Sequence, residues 1–374
     1  MRRSLLVSAL FFGGAAALAA LPDPELHPRA QGILAEQVAD WRAAEGVPAS
    51  YTEMRGINAE WDFMGRTFMV LSLMNLALEH PEDQDELVAM ADALIQDTLA
   101  AEAAHGQEHF LMPYGRNGGW LGDGRSLFVD GEIAMMMAAR RVVNADRWGP
   151  ELGPRIERVV EDLDEAALAE SYPDEGWLFC HSMALAALRM HDHVEGTDHS
   201  ELAAAWLDRA RRELKDEETG LLVSSFTVDG RTLDGPEGSS IFLSATNLML
   251  VRPDFAQDQY DRAAKELGGN LLGFGYAREW PASAVGHLDV DSGPLVPVID
   301  ASPSASGFFL LASRAFDDRG NHRRLVRALD AADAVIAMDP EMAAMADNPV
   351  GDAVLLYAFT FGPLWAEVGA YPVG

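Results

Sequence analysis

Cysteine is almost absent from this chain. Cys180 is the single cysteine among 374 residues, so the chain can form no internal disulfide and no metal site built from several thiolates. The stability of the fold therefore has to come from packing and hydrogen bonding.

Positive charge is also scarce. The chain carries 28 Lys+Arg against 59 Asp+Glu, a formal charge of −31, and its two lysines are Lys215 and Lys265. Phosphate backbones and anionic lipid surfaces repel such a protein, which argues against nucleic-acid binding. Hydrophobic residues make up 49% of the chain, enough for a large core, so a disordered protein is not expected either.

Long apolar runs are missing except at the N-terminus. Met1-Arg2-Arg3 precedes an apolar stretch over residues 5–21 that contains Ala17-Leu18-Ala19. A basic start, an apolar centre and small residues at a cleavage point indicate a signal peptide over residues 1–20. An uncleaved membrane anchor is the alternative and the only expected membrane contact. Either form predicts a periplasmic or extracellular protein.

Two kinds of helix alternate along the rest of the chain. Amphipathic segments, such as the stripe of Leu87, Met90 and Leu94, predict helices with one wet face. Other segments are apolar on every side, which predicts buried helices: 63–78, 133–143, 178–190, 241–251, 308–315 and 354–365. Six outer/inner pairs predict an all-α fold, an (α/α)6 barrel forming one domain over 21–374, with a helical solenoid as the alternative. Residues 221–230 predict a small hairpin, and 285–298 a long loop at the mouth.

Polar residues collect just before the apolar helices, at the rim where a ring would gather their first turns. Most of these residues are expected to cap helices. Capping explains Asp62 and Glu132 less well, because a carboxylate without a task is costly on a buried helix. Burial raises carboxyl pKa values into the range that acid/base catalysis needs. We therefore expect Asp62 and Glu132 to be catalytic, with Cys180 as a third pocket group or an inert thiol.

Metal-binding patterns are weak. His191, His193 and His199 fall at the end of an inner helix, on the rim opposite the polar loops, where capping of the helix C-terminus explains them better. Asp289 and Asp291 resemble the start of a calcium loop, but the distal Glu is absent. The sequence therefore predicts no metal and no cofactor, and a loop containing Asp289 and Asp291 that folds over the mouth.

The segment Trp177-Leu178-Phe179-Cys180 through His191-Asp192, Ala205-Trp206-Leu207-Asp208 and 214–220 resembles the linalool dehydratase/isomerase family. That resemblance is clearest over residues 125–260. It implies a secreted, cofactor-free (α/α)6 barrel whose hydrophobic cavity adds or removes water at a terpene alcohol.

The resemblance also implies roles for particular positions. Cys180 matches the second pocket cysteine of the family, whereas Ser171 replaces the first. Glu132 stands where the family has a histidine, Phe128 where it has a methionine, and Phe242 near its pocket tyrosine. The chain therefore resembles a divergent relative of this family, and we expect it to have its own substrate.

Three functions remain open at this stage. The first is a secreted lyase or isomerase acting on a small, largely apolar alcohol or alkene, and the second is a secreted glycosidase or polysaccharide-active enzyme with paired carboxylates. The third is a binding protein that uses the same pocket. A small-molecule partner is expected in each case, and a homo-oligomer is compatible with all three. The residues expected to contact the ligand are Trp61, Phe128, His181, Glu237, Phe242, Tyr276, Asp289 and Asp291.

Overall fold

A computed structural model describes residues 26–44, 47–48, 54–166, 168–284, 295–296, 299–336, 338 and 348–372. The predicted signal segment 1–20 lies outside the described residues, and so do Asp289 and Asp291.

Thirteen helices and six short strands are described. The helices are α1 (Pro28–Ala43), α2 (Ala59–Glu79), α3 (Gln84–His105), α4 (Leu127–Val143), α5 (Gly149–Ala166), α6 (Leu178–Glu195), α7 (Ser200–Glu213), α8 (Gly238–Leu248), α9 (Pro253–Glu266), α10 (Pro303–Ala315), α11 (Arg319–Ile336), α12 (Pro349–Thr360) and α13 (Pro363–Val368). The strands are β1 (Gly176–Trp177), β2 (Ser225–Phe226), β3 (Thr232–Asp234), β4 (Gly268–Leu271), β5 (Phe274–Arg278) and β6 (Ala301–Ser302).

Six of the helices form a closed inner ring. The helices α2, α4, α6, α8, α10 and α12 pack each on the next, and α12 packs back on α2. They are buried nearly all round, as their apolar sequences predict. The structure thus confirms the helical barrel, and the closing contact between α12 and α2 excludes the open solenoid.

The pairing of outer with inner helices differs from the predicted order. The outer helices α3, α5, α9 and α11 pack on the inner helix that precedes them, while α1 packs on α12, at the far end of the chain. Each inner helix is joined to the following outer helix by a short turn, whereas the connections that lead into the inner helices are long. The long loops therefore gather at one rim, where the inner helices begin.

Side-chain caps mark where several inner helices begin at this rim. Asn58 accepts hydrogen bonds from the first-turn amides of α2, and Asn348 does the same for α12. Ser126 and Ser302 accept one amide each at the start of α4 and α10. These residues satisfy amides that have no partner within the helix, so the polar residues at these four positions have a structural task.

Two small sheets lie in the long loops. Strands β2 and β3 form a hairpin whose first strand lies within the predicted range 221–230 and whose second strand follows it. Strand β1 pairs with β2. The second sheet, in the order β4-β5-β6, was not predicted from the sequence. Its hairpin brings Gly269 opposite Tyr276, and a Cβ at Gly269 would stand 2.2 Å from the tyrosine ring, so the tyrosine needs a glycine there.

In the part of the chain that the structure describes, no helix combines the length and the apolar character needed to cross a bilayer.

Candidate active site

A cavity of about 800 Å³ opens at the rim where the inner helices begin. Every inner helix contributes to its lining within about two turns of its N-terminus, or through the residues just before it. The contributing residues include Trp61 and Met64, Phe128, Phe179 and Cys180, Ser239 and Ser240, Ser304 and Phe308, and Asp352 and Leu355. The polar loops therefore converge on one cavity, as the ring geometry predicts.

The wall of the cavity is mostly apolar. Trp61, Phe128, Glu237 and Tyr276 line it, as predicted. The remaining apolar lining residues are mainly aliphatic or phenylalanine: Leu271, Leu272, Phe274, Val296, Ile299, Leu310, Leu325, Leu329, Val350 and Val354. Such a wall suits an apolar ligand with few polar groups.

Charge in the lining is almost entirely negative. The carboxylates are Glu60, Glu237, Glu279, Asp333 and Asp352, against the single cation Arg29 among the described lining residues. Arg29 donates to Asp352 at 2.8 Å and lies 3.7 Å from Asp333, so its charge is already paired. The cavity therefore disfavours anionic ligands.

Glu279 is a cavity carboxylate that the sequence did not reveal. It follows β5, and it accepts hydrogen bonds from the Ser239 amide at 3.0 Å and from the hydroxyls of Ser239 and Ser302. No motif marks this position, because only the fold brings Ser239 and Ser302 to the end of β5. With three donors already bound, Glu279 joins the starts of α8 and α10.

Tyr172 and Glu60 form a second polar contact in the wall. The Tyr172 hydroxyl donates to Glu60 and accepts from the Met112 amide at 2.9 Å, while Tyr114 stacks on its ring at 4.6 Å. Burial, reinforced by the Glu60 charge, raises the pKa of Tyr172, so the phenol stays protonated.

Cys180 lines the cavity and is almost fully buried. Burial raises the pKa of its thiol well above the usual value, whereas the nearby Ser171 hydroxyl lowers it and the Glu132 charge adds to the increase. Cys180 therefore presents a neutral thiol to the cavity, and a thiolate nucleophile is not favoured.

Glu132 lies one helical turn after the lining residue Phe128 and is completely buried. Neither carboxyl oxygen has a hydrogen-bond partner among the described residues. Burial dominates and raises the pKa of Glu132 to about 8, while the nearby Thr67 hydroxyl lowers it. At neutral pH this side chain is a protonated acid in an apolar setting.

Asp62 is not where the sequence led us to expect it. Like Glu132, it is buried and outside the cavity lining, but unlike Glu132 it accepts a hydrogen bond from a cation, Arg66, at 3.2 Å. Arg66 also donates a hydrogen bond to Asp97 on α3 at 2.6 Å. Burial raises the pKa of Asp62 and the Arg66 charge opposes it. The four-residue spacing of Asp62 and Arg66 in the sequence could have indicated this ion pair. We therefore assign Asp62 a structural role in place of the expected catalytic one.

Two expected ligand contacts are also corrected. His181 is fully buried, with Nε2 accepting from the Ala169 amide at 2.9 Å and Nδ1 bound to the Trp177 carbonyl at 2.8 Å. Burial lowers its pKa to about 4, so it is a neutral core residue. Phe242 stacks on Phe309 at 4.4 Å inside the core. Neither residue lines the cavity, because each helix buries this face against its neighbours.

His191, Asp192 and His199 lie together at the opposite rim, with one ligand atom from each within 4.8 Å of the others. Asp192 already accepts from the Thr197 and Tyr371 hydroxyls, at 2.6 and 2.7 Å, and from the His199 amide and ring. Burial alone would raise the pKa of Asp192, but these hydrogen bonds outweigh it and hold the pKa well below its usual range. The cluster thus ties the C-terminal segment to α6 and is far from the mouth.

Comparison with known proteins leaves the function to be inferred from the cavity. No protein-family model matches the chain. A crystal structure described as a possible member of the GH105 family from Salmonella enterica serovar Paratyphi A is similar to it at 15% identity and a TM-score of 0.46, covering 79% of this chain and 82% of that one.

Proposed function

We propose that this protein is an enzyme that adds or removes water at a small, largely apolar alcohol or alkene by acid/base chemistry, with Glu132 as the proton donor. The observation that carries the proposal is a fully buried carboxyl group that has no ion-pair partner in the described part of the chain and lies one helical turn beyond a residue that lines an apolar cavity.

In the direction of water loss, the protonated Glu132 gives its proton to the hydroxyl group of the substrate. The C–O bond breaks, water leaves and a carbocation forms, while Glu132 becomes a carboxylate. The carboxylate then accepts a proton from the carbon beside the cation, which yields the alkene and restores the acid. A pKa of about 8 suits both steps near neutral pH.

The wall supports this chemistry in two ways. The rings of Trp61, Phe128 and Phe179 border the cavity, and aromatic rings can stabilise a cationic intermediate. The neutral Cys180 thiol, close to Glu132, is a weak donor that can orient the hydroxyl group.

A glycoside-active enzyme is the second candidate. Glu60 and Glu237 both line the cavity, together with Trp61 and Trp177, and paired carboxylates with aromatic platforms are what a glycosidase uses. The negative lining, with its one paired cation, favours neutral sugars over uronic acids as substrates of this candidate.

Parallel assays separate the two candidates. The purified protein is incubated with tertiary and allylic terpene alcohols and, separately, with neutral and uronic oligosaccharides, and the products are identified by mass spectrometry. Alkene or isomerised alcohol that disappears in Glu132→Gln supports the main proposal. Sugar release that survives Glu132→Gln but is lost in Glu237→Gln would establish the second candidate instead.

A further inference from the structure

A layer of buried polar side chains lies directly below the cavity floor. On α2, α4, α8 and α12, residues that line the cavity are followed three or four positions later by a polar side chain: Met64 by Thr67, Phe128 by Glu132, Ser240 by Ser244, and Val354 by Tyr357. This spacing places both members on one face of each helix, about 4.5 to 6 Å apart along its axis.

These four polar side chains are buried completely, and their polar atoms lack partners. The Thr67 hydroxyl, both oxygens of Glu132, the Ser244 hydroxyl and the Tyr357 hydroxyl form no hydrogen bond with any described residue. Buried polar groups in folded proteins nearly always form hydrogen bonds. A group of buried side chains without hydrogen-bond partners is therefore a candidate binding site for a polar ligand.

Three of the four side chains also act on one another. The Thr67 hydroxyl lowers the pKa of Glu132, and the Glu132 charge adds to the burial that raises the pKa of Tyr357. Thr67, Glu132 and Tyr357 come from α2, α4 and α12, which are consecutive in the ring. The Glu132 carboxyl group is therefore near both the Thr67 and the Tyr357 hydroxyl groups.

We propose that Thr67, Glu132 and Tyr357 form a binding site for a single hydroxyl-sized oxygen, held against the Glu132 carboxyl group. The three side chains offer donors and acceptors enough for about three hydrogen bonds, which is what a buried water molecule usually makes. The inference rests on the proposed function: the oxygen is a water molecule in the resting protein, and the leaving hydroxyl of the alcohol during turnover.

The site gives Thr67 and Tyr357 a positioning role. Neither is needed to transfer the proton, but both hold the oxygen where Glu132 can reach it. A purely structural role would leave the hydrogen bonding of Glu132 unchanged when their hydroxyls are removed, so the state of the Glu132 carboxyl group is the readout that separates the two roles.

The test uses the full mature protein and the variants Tyr357→Phe and Thr67→Val, which remove a hydroxyl and keep the shape of the side chain. Tyr260→Phe is the matched control, because Tyr260 is a buried tyrosine whose hydroxyl donates to Asp318 at 2.9 Å outside this layer. Each protein is examined by high-resolution crystallography and by infrared difference spectroscopy of the protonated carboxyl group, identified by its loss in Glu132→Gln.

We expect one ordered oxygen between the three side chains, its loss in Tyr357→Phe, and a carboxyl band shifted toward that of an unbonded acid. Thr67→Val should shift the same band if Tyr357→Phe folds poorly, and Tyr260→Phe should leave it unchanged. Soaking with a terpene alcohol, used as the probe, separates the sources: an alcohol oxygen that replaces the ordered one supports a hydroxyl site, and an undisturbed oxygen supports a water site.

Absence of an ordered oxygen, or a band that neither variant moves, would overturn the proposal. These readouts do not depend on turnover, so they can fail while the proposed function stands. Conversely, full activity of Glu132→Gln would refute the proposed function and leave the oxygen site to be judged by crystallography alone.

Discussion

Two carboxyl groups of one short motif have opposite surroundings. In Asp130-Gly131-Glu132, Asp130 is bound by Arg155 at 2.6 Å and Arg158 at 2.9 Å, whereas Glu132 has no ion-pair or hydrogen-bond partner among the described residues. A buried carboxylate that is paired with a cation contributes to the fold. An unpaired buried carboxyl group costs stability, which points to a functional role. Glu132 is therefore the residue to which we assign the proposed proton transfer.

Replacing Glu132 by Gln should abolish most of the activity. The amide keeps the shape but has no acidic proton, so kcat should fall by roughly 10² to 10⁴, measured on the substrate that the assays identify. Asp130→Asn is the matched comparison: it should lower the melting temperature by weakening the ion pairs with Arg155 and Arg158, and retain activity in the folded fraction. Equal losses of activity in both variants would argue against the role of Glu132.

The stability of the protein should carry a signature of Glu132 in its pH dependence. The folded protein holds this proton up to a pKa of about 8, against an ordinary value of 4.5. The stability due to the neutral acid is therefore complete below pH 4.5 and is lost as the pH rises through 8. Denaturant titrations from pH 5 to 9 should show this decline in the native protein and a smaller one in Glu132→Gln. Parallel curves would contradict the raised pKa.

Cys180 should react slowly with iodoacetamide. Its thiol is almost fully buried and its raised pKa leaves little thiolate at neutral pH. Alkylation followed by mass spectrometry should show protection in the folded protein and rapid modification in denaturant, which serves as the control. Fast alkylation of the folded protein at pH 7 would instead indicate an activated thiolate.

At the scale of elements, the mouth depends on the close approach of β5 to the starts of α8 and α10. A Cβ at Gly238 would stand 2.4 Å from the Arg278 carbonyl oxygen and 2.7 Å from the Ala305 Cβ. The Gly238 amide donates to the Glu279 carbonyl at 2.7 Å, which holds the strand against α8. The position of Glu279 in the cavity wall follows from these contacts.

Gly238→Ala should therefore destabilise the protein by roughly 1–3 kcal/mol, because the backbone of β5 has to move away. Gly235→Ala is the control, since a Cβ there meets no atom within 4 Å. Denaturant unfolding of both variants measures the difference. If the two variants were equally stable, the packing of β5 on α8 would not be the constraint that we infer.

At the scale of the whole molecule, the N-terminal segment predicts export. We propose that the mature protein begins after about residue 20, because a basic start, an apolar stretch and Ala17-Leu18-Ala19 follow in the order of a signal peptide. Cell fractionation with N-terminal sequencing of the product measures this. A cytoplasmic product that begins at Met1 would rule export out, and a membrane-bound product with an intact N-terminus would indicate the anchor.

The sequence alone was sufficient to predict a barrel of outer and inner helices, but not the order in which they pair or the second sheet. The alternation of amphipathic and all-apolar segments predicted the outer and inner helices, and the polar residues before the inner helices predicted a single mouth. Periodicity is a local property and reports how many sides of a helix are buried. Glu132 was expected at the start of the apolar helix 133–143; in the structure α4 begins earlier, at Leu127, so Glu132 lies in its second turn, after Phe128 in the cavity wall.

Only the tertiary structure decided what each buried polar group contacts. Asp62 and Glu132 look alike in the sequence, yet Asp62 binds Arg66 whereas Glu132 binds no cation among the residues that the structure describes. Glu279 lies in the cavity wall because β5 pairs with β6. Phe242 lies outside the wall, stacked on Phe309 in the core. Such partners come from distant parts of the chain, so the pattern that predicts burial does not predict which residues meet there.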